Sequence, residues 1–198
     1  AYLRMADCNY ISSKYWPAMD AYNKAIELKC VDADYAAFQK GMSYGFVNKN
    51  DKKIEDLNKF VSTYKTSQYM DDALYELANT YSSIGNNDDA LTYYDNLIID
   101  FPNSPFITQA KIGKANCYLK KWQYDKAETA YLKVLAEHEN ENDVCEVAAK
   151  GLVDVYTAQQ KPQKASESLK KPQKASTSLK KLQTASNSLN QFQKPQTA

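Results

Sequence analysis

The 198-residue chain has one histidine, His138, set in the carboxylate-dense run EHENENDVCE at 137–146. An imidazole can act as a general base only beside a positioned nucleophile and an orienting group, and no recognisable spacing supplies either. Glu137, Glu139, Glu141 and Asp143 alternate with polar residues as calcium ligands do, but the glycine that an EF-hand loop needs at its sharp turn is missing. Cys8, Cys30, Cys117 and Cys145 form no Cys-x-x-Cys pair and no metal-like spacing, so they read as small apolar packing residues. There is no glycine-rich phosphate loop and no Ser/His/Asp order. These residue types predict no enzyme, no metal site and no cofactor.

Charge distribution narrows the partners. Lys and Arg total 25 against 24 acidic residues, but residues 161–198 hold eight Lys and one Glu, a net of +7 that leaves −6 on residues 1–160. A mildly acidic body with a basic tail lacks the basic stripe, interleaved with reading side chains, that nucleic acid requires. No run reaches the 18 apolar residues of a membrane helix, so no membrane span is expected. The chain opens at Ala1 with neither a basic n-region nor an apolar h-region, which predicts no signal peptide within it and reads as a trimmed start.

What organises the chain is a repeat. Tyr44, Tyr81, Tyr118 and Tyr156 recur at intervals of 37, 37 and 38 residues. Three residues before them stand Gly41, Ala78, Ala115 and Val153; nine after them Lys53, Ala90, Ala127 and Ala165; four further on Leu57, Tyr94, Tyr131 and Leu169. An earlier unit fits with Ala6, Ala18 and Tyr22, with Asn9 in place of the first tyrosine. Inside each unit the apolar residues keep helical spacing, as in Leu74, Leu77, Ala78 and Tyr81, then Ala90, Leu91, Tyr94 and Leu97. Each unit is therefore two helices. In the turn IGNNDDA, Gly85 suits the left-handed cap that ends the first helix, and Asn87 or Asp88 suits the N-cap of the second. Pro17 and Pro162 fall at second-helix starts. In IIDFPNSPF, Pro102 stops one helix, Ser104 offers an N-cap oxygen and Pro105 falls at the next first helical position.

The unit DDALYELANTYSSIGNNDDALTYYDNLIIDFP resembles the tetratricopeptide repeat (TPR) family, with Leu74, Leu77, Ala78, Tyr81, Ala90, Tyr94 and Pro102 on its signature positions. The resemblance covers about residues 1–170 and implies an all-α, right-handed α-α superhelix of about five helix-turn-helix repeats, near 1–33, 34–70, 71–107, 108–145 and 146–170. Lys53, Lys111 and Lys114 depart from the pattern, standing where it has small or apolar residues. Three extra residues at the unit joints lengthen the period to 37, and the form FPNSPF followed by A-x4-A-x2-Y is similar to repeats of bacterial envelope proteins. That implies a periplasmic or outer-membrane-associated location, with the cytoplasm as the alternative.

In this family the first helices of the units line a concave groove that holds peptides or proteins. By register the resemblance places there Phe38, Met42 and Phe46; Tyr75, Asn79 and Ser82; Ile112, Asn116 and Lys120; and Lys150 with Asp154. Asn79 and Asn116, one period apart, resemble part of the carboxylate clamp that grips peptide C-termini, since an amide both donates and accepts. The clamp's basic positions are filled by Tyr75 and Ile112, and Lys150 alone matches. Packing within the helix stack is the competing role for these asparagines, and for Phe38, Met42 and Phe46. The expected function is a non-catalytic scaffold for a peptide or protein partner, the alternative a structural envelope component that assembles through its convex face and tail. Self-association through exposed repeat ends stays open. The tail repeats KPQKASESLK, KPQKASTSLK and KLQTASNSLN at 161–190. A ten-residue period falls 80° short of three helical turns, so one long amphipathic helix is not expected, and 171–198 reads as a capping helix or a Lys/Ser/Gln-rich linker.

Overall fold

The computed structural model describes residues 1–160; the expectations for Pro162, Ala165, Leu169 and the decapeptide tail lie outside them. Among the described residues the chain is all helical, in two compact units that meet at Phe106 and Ile107. The first holds three antiparallel pairs: α1 (Tyr2–Ile11) with α2 (Tyr15–Glu27), α3 (Ala33–Phe46) with α4 (Asn50–Thr63), and α5 (Met70–Ser83) with α6 (Asn87–Asp100). The second holds α7 (Ile107–Lys120), α8 (Tyr124–Glu137) and α9 (Asn142–Ala158).

Alternation of small and large residues is what lets the helices close. Ala78, Ala90, Tyr94 and Leu97 of one pair and Ala115, Ala127, Tyr131 and Val134 of another are almost fully buried, each alanine admitting a ring or branched chain from across the pair. Gly151 is the tightest approach. A Cβ built there would stand 2.2 Å from Tyr131 Cζ, so the ring occupies the space a side chain would need.

One polar contact recurs in this packing. The hydroxyl of Tyr22 donates to Asp7 at 3.0 Å, that of Tyr94 to Asn79 at 2.6 Å, and that of Tyr131 to Asn116, each bridging a first and second helix 15 residues apart in sequence. Burial together with the Asp7 bond pushes the Tyr22 phenol well above its ordinary value, and burial does the same for Tyr131. In the α3–α4 pair the same two positions hold Met42 and Leu57.

The turns between paired helices repeat too. Ser13, Asn48, Gly85, Trp122 and Gln160 each take a left-handed backbone just past a first helix, and Gly85 (φ 86°) does so without a Cβ penalty, as expected of it. The cap of α6 is Asn86, whose side chain accepts from Asp89 N at 3.4 Å, one residue before the expected Asn87 or Asp88.

At the unit joints the expectation shifts further. α7 begins at Ile107, so Pro105 lies in the joint and not at a first helical position. Ser104 accepts from Phe106 N at 3.2 Å and donates to Asp71 at 2.7 Å. Ser67 repeats both contacts with Tyr69 N and Asp34. The extra residues thus form a serine latch back to the start of the preceding first helix. That latch is the physical content of the 37-residue period.

The departing lysines have partners. Lys53 is buried to 8% exposure, runs past Gly45, and reaches Glu76 of the next pair at 2.6 Å. Lys111 meets Glu137 at 2.6 Å, and the Lys114 ammonium lies 5.9 Å from the centre of the Tyr118 ring. Lys40 likewise pairs with Asp56 at 3.2 Å. The cysteines divide: Cys117 and Cys145 are buried as expected, Cys8 is exposed and Cys30 is half-buried.

Candidate partner-binding surface

In the first unit the expected groove residues lie on α3 and α5. Asp72, Tyr75, Asn79 and Ser82 follow one another at three- and four-residue steps along α5, so they share a face. All four are half-buried. Tyr75 stacks on Phe106 at 4.8 Å and 12°, which fixes the ring flat against the joint. Phe38 makes the equivalent stack on Tyr69 at 5.6 Å and 9°, also touches Phe60, and is only 7% exposed. Phe38 is therefore a packed floor residue, Met42 is half-buried beside it in register, and Phe46 is exposed with its ring stacked on Tyr15 at 4.7 Å.

Asn79 has two roles at once. Its carbonyl oxygen accepts from buried Tyr94, which fixes the amide orientation and leaves its two N–H donors uncommitted to that bond. The surroundings are negative. Burial, then Asp71 and Glu76, raise the Asp72 carboxyl above its ordinary value.

The second unit repeats part of this. Asn116 is exposed and accepts from Tyr131 as Asn79 does from Tyr94. Ile112 packs against the core of the unit. Lys120 and Lys150 are both exposed, on α7 and α9. Asp154, one turn after Lys150, has a carboxyl raised by burial and lowered in part by that lysine. Among the described residues no three His, Cys, Asp or Glu side chains are placed to hold a metal ion.

One constellation escaped sequence reading. His138 Nδ1 lies 2.8 Å from Glu141 and its Nε2 lies 3.1 Å from the Thr108 hydroxyl. In the neutral imidazole Nδ1–H donates to the carboxylate and Nε2 accepts from the hydroxyl. A hydroxyl, an imidazole and a carboxylate in line have the outline of a base-activated nucleophile. Their register explains them otherwise. Thr108 is one period after Asp71 and Glu141 one period after Ser104, so hydroxyl and carboxylate have exchanged places in this joint, with His138 bridging them at the position of Phe101. The joint is latched by three residues where the others use two. The sequence signal was available: His138 falls one period after Phe101.

The serine latches, the tyrosine-to-amide bonds and the left-handed turns together define a helical hairpin repeated in register. The profile of the tetratricopeptide repeat-like domain matches residues 58–184. The chain belongs to that family. No curated protein matches the TPR-like chain in sequence. Solved structures similar to it include MamA, at 17% identity with a TM-score of 0.70, covering 100% of this chain and 96% of that one. A putative kinesin light chain from Podosopora anserina with TPR-like repeats is 13% identical with a TM-score of 0.70, covering 94% and 95%. YrrB, described as a TPR protein with an unusual peptide-binding site, is 18% identical with a TM-score of 0.67, covering 96% and 90%. At these identities the likeness shows the fold. Among the described residues no helix is long and apolar enough to cross a membrane.

Proposed function

We propose that this TPR-like chain is a non-catalytic scaffold that holds a peptide or protein partner on its first helices, each unit taken by itself: on α5 of the first unit through Tyr75, Asn79 and Ser82, and on α7 of the second through Asn116 and Lys120. The observation that carries the reading is Asn79. Its carbonyl is fixed by Tyr94, and Tyr75, one turn earlier on the same face of α5, is held flat on Phe106, an arrangement that suits an extended backbone crossing α5. Peptide binding by YrrB, a structural relative, supports the class of ligand. The repeat-like family also supports a scaffold over an enzyme. A terminal carboxylate is not the ligand α5 favours, because Tyr75 stands where a clamp would have a cation and Asp72 adds negative charge.

Affinity capture with the wild type and a Tyr75→Ala, Asn79→Ala, Asn116→Ala variant tests this. A Tyr94→Phe variant, which releases the Asn79 amide but keeps its donors on α5, should weaken capture without abolishing it. Loss of the partner in the triple variant alone supports the reading. Equal retention in all three refutes it and favours assembly through the second-helix face. An envelope location belongs to the same proposal and rests on the FPNSPF joint; fractionation of the source cells tests it.

A further inference from the structure

Charge is unevenly placed in the first unit. From 66 to 106, across the α5–α6 hairpin and its joints, the chain holds seven Asp or Glu and no Lys, Arg or His. That segment sums to −7 while residues 1–160 sum to −6, so the rest of the body stands at +1. The body's negative charge therefore belongs to the hairpin whose first helix is the proposed partner face. On that helix, α5, are Asp71, Asp72 and Glu76 and no cation.

Surroundings separate these three carboxylates. Asp71 accepts from Ser104 at 2.7 Å and so serves the latch, and Glu76 pairs with Lys53 of α4 at 2.6 Å. Asp72 has no such partner: its carboxyl accepts from its own backbone N–H, and among the described residues no Lys, Arg or His pairs with it. Its place in the first turn of α5 gives it the favourable end of the helix dipole, yet burial, with Asp71 and Glu76 nearby, still raises its carboxyl above the ordinary value. The fold would be more stable without this charge. A carboxylate held at such a cost on a binding face points to a ligand that neutralises it.

The side chains beside it set the chemistry of that ligand. Tyr75 stands three residues on and Asn79 seven on, so all three share one face of α5. Half-buried Tyr75, held flat on Phe106, offers the apolar stem of a long side chain a rigid surface, and Asp72, one turn nearer the helix start, meets its charged end. Asn79, its carbonyl committed to Tyr94, has amide donors for the backbone carbonyls of the same segment. A long apolar stem with a cationic end describes Lys and Arg.

We infer that α5 of the first unit binds an extended segment of a partner protein through a Lys or Arg side chain laid along Tyr75 and paired with Asp72. This rests on the partner-face reading and names the chemistry of the partner.

The probe is a random decapeptide library displayed on phage and selected against the full chain at low salt. Expected is a pool enriched about threefold or more in Lys and Arg over the unselected library. By fluorescence anisotropy, a lead peptide should bind Asp72→Asn about tenfold more weakly than wild type, and should weaken at high salt. Asp100→Asn, which removes the same charge from the exposed last residue of α6, should cost about twofold at most. Replacing the lead's cation by norleucine should cost about tenfold on wild type and almost nothing further on Asp72→Asn. Melting curves check that each variant is folded. Neutral or acidic leads that depend on Tyr75 and Asn79 but ignore Asp72→Asn would overturn the inference and leave the partner face standing. Equal losses in Asp72→Asn and Asp100→Asn would overturn it too, leaving only a general field. No enrichment beyond that of a Tyr75→Ala, Asn79→Ala variant would remove the partner face and the inference together. Salt-sensitive self-association abolished by Asp72→Asn would assign the site to a second copy of this chain and overturn the outside partner.

Discussion

Removing the Lys53 ammonium should cost stability even though the replacement restores a residue the repeat favours. The lysine side chain is 10% exposed and its Glu76 partner 27%, with 2.6 Å between nitrogen and oxygen. At an effective dielectric near 20 the gross attraction is roughly 6 kcal/mol, most of it offset by the several kcal/mol needed to desolvate each ion. A charge-assisted hydrogen bond of this kind nets about 1.5–3 kcal/mol. Lys53→Met keeps the stem packed along Gly45 and leaves Glu76 facing Asp72 without its cation, so a loss of about 2 kcal/mol is expected. Lys53→Ala loses the stem as well and should cost about 3 kcal/mol. Glu76→Gln, combined with Lys53→Met in a double-mutant cycle, should give a coupling of about 1.5 kcal/mol. Urea unfolding followed by far-UV circular dichroism measures the wild type and all four variants. A Lys53→Ala protein as stable as wild type, or a coupling near zero, would show that the pair contributes nothing and that the departure from the repeat pattern is uncompensated.

Gly151→Ala should destabilise the second unit by about 2–3 kcal/mol, because its Cβ would overlap the buried Tyr131 ring; calorimetry showing an unchanged second-unit transition contradicts the close approach. Tyr94→Phe should cost about 1 kcal/mol in denaturant, since it deletes one buried hydrogen bond while Asn79 can turn to water. Asp72→Asn should stabilise the protein at neutral pH. The folded carboxyl titrates above its unfolded value, so the native state binds more protons in that window and wild-type stability falls as pH rises through it. The advantage of the variant should shrink to nothing below the ordinary aspartate range, and a pH-independent advantage would refute the linkage.

Much of the fold was legible because the tyrosine and alanine positions serve packing, and packing must recur wherever one hairpin stacks on the next. Tyr81, Ala90 and Tyr94 could be placed on faces from spacing alone. The details that failed involve polar groups whose partners are distant. Pro105 is missed as a joint residue because Ser104 bonds to Asp71, 33 residues back, and not to the helix that follows. The Thr108–His138–Glu141 latch was hidden because it exchanges the residue types its sister joints use. Register placed Asn79 and Asn116 on first helices, but their carbonyl bonds to buried tyrosines are visible only in three dimensions. Phe38 shows the limit of register: it marks which helix a residue is on, while the depth of the ring depends on Phe60 and Tyr69.

Hydrogen exchange on the complex with a captured partner tests the scaffold reading most directly. The account predicts that protection rises along the first helices, at Asp72–Ser82 of α5 and around Asn116 of α7, while the second helices α4, α6 and α8 keep their free-state rates. Protection confined to α4, α6 and α8, with α5 and α7 unchanged, would contradict it and assign partner binding to the opposite face.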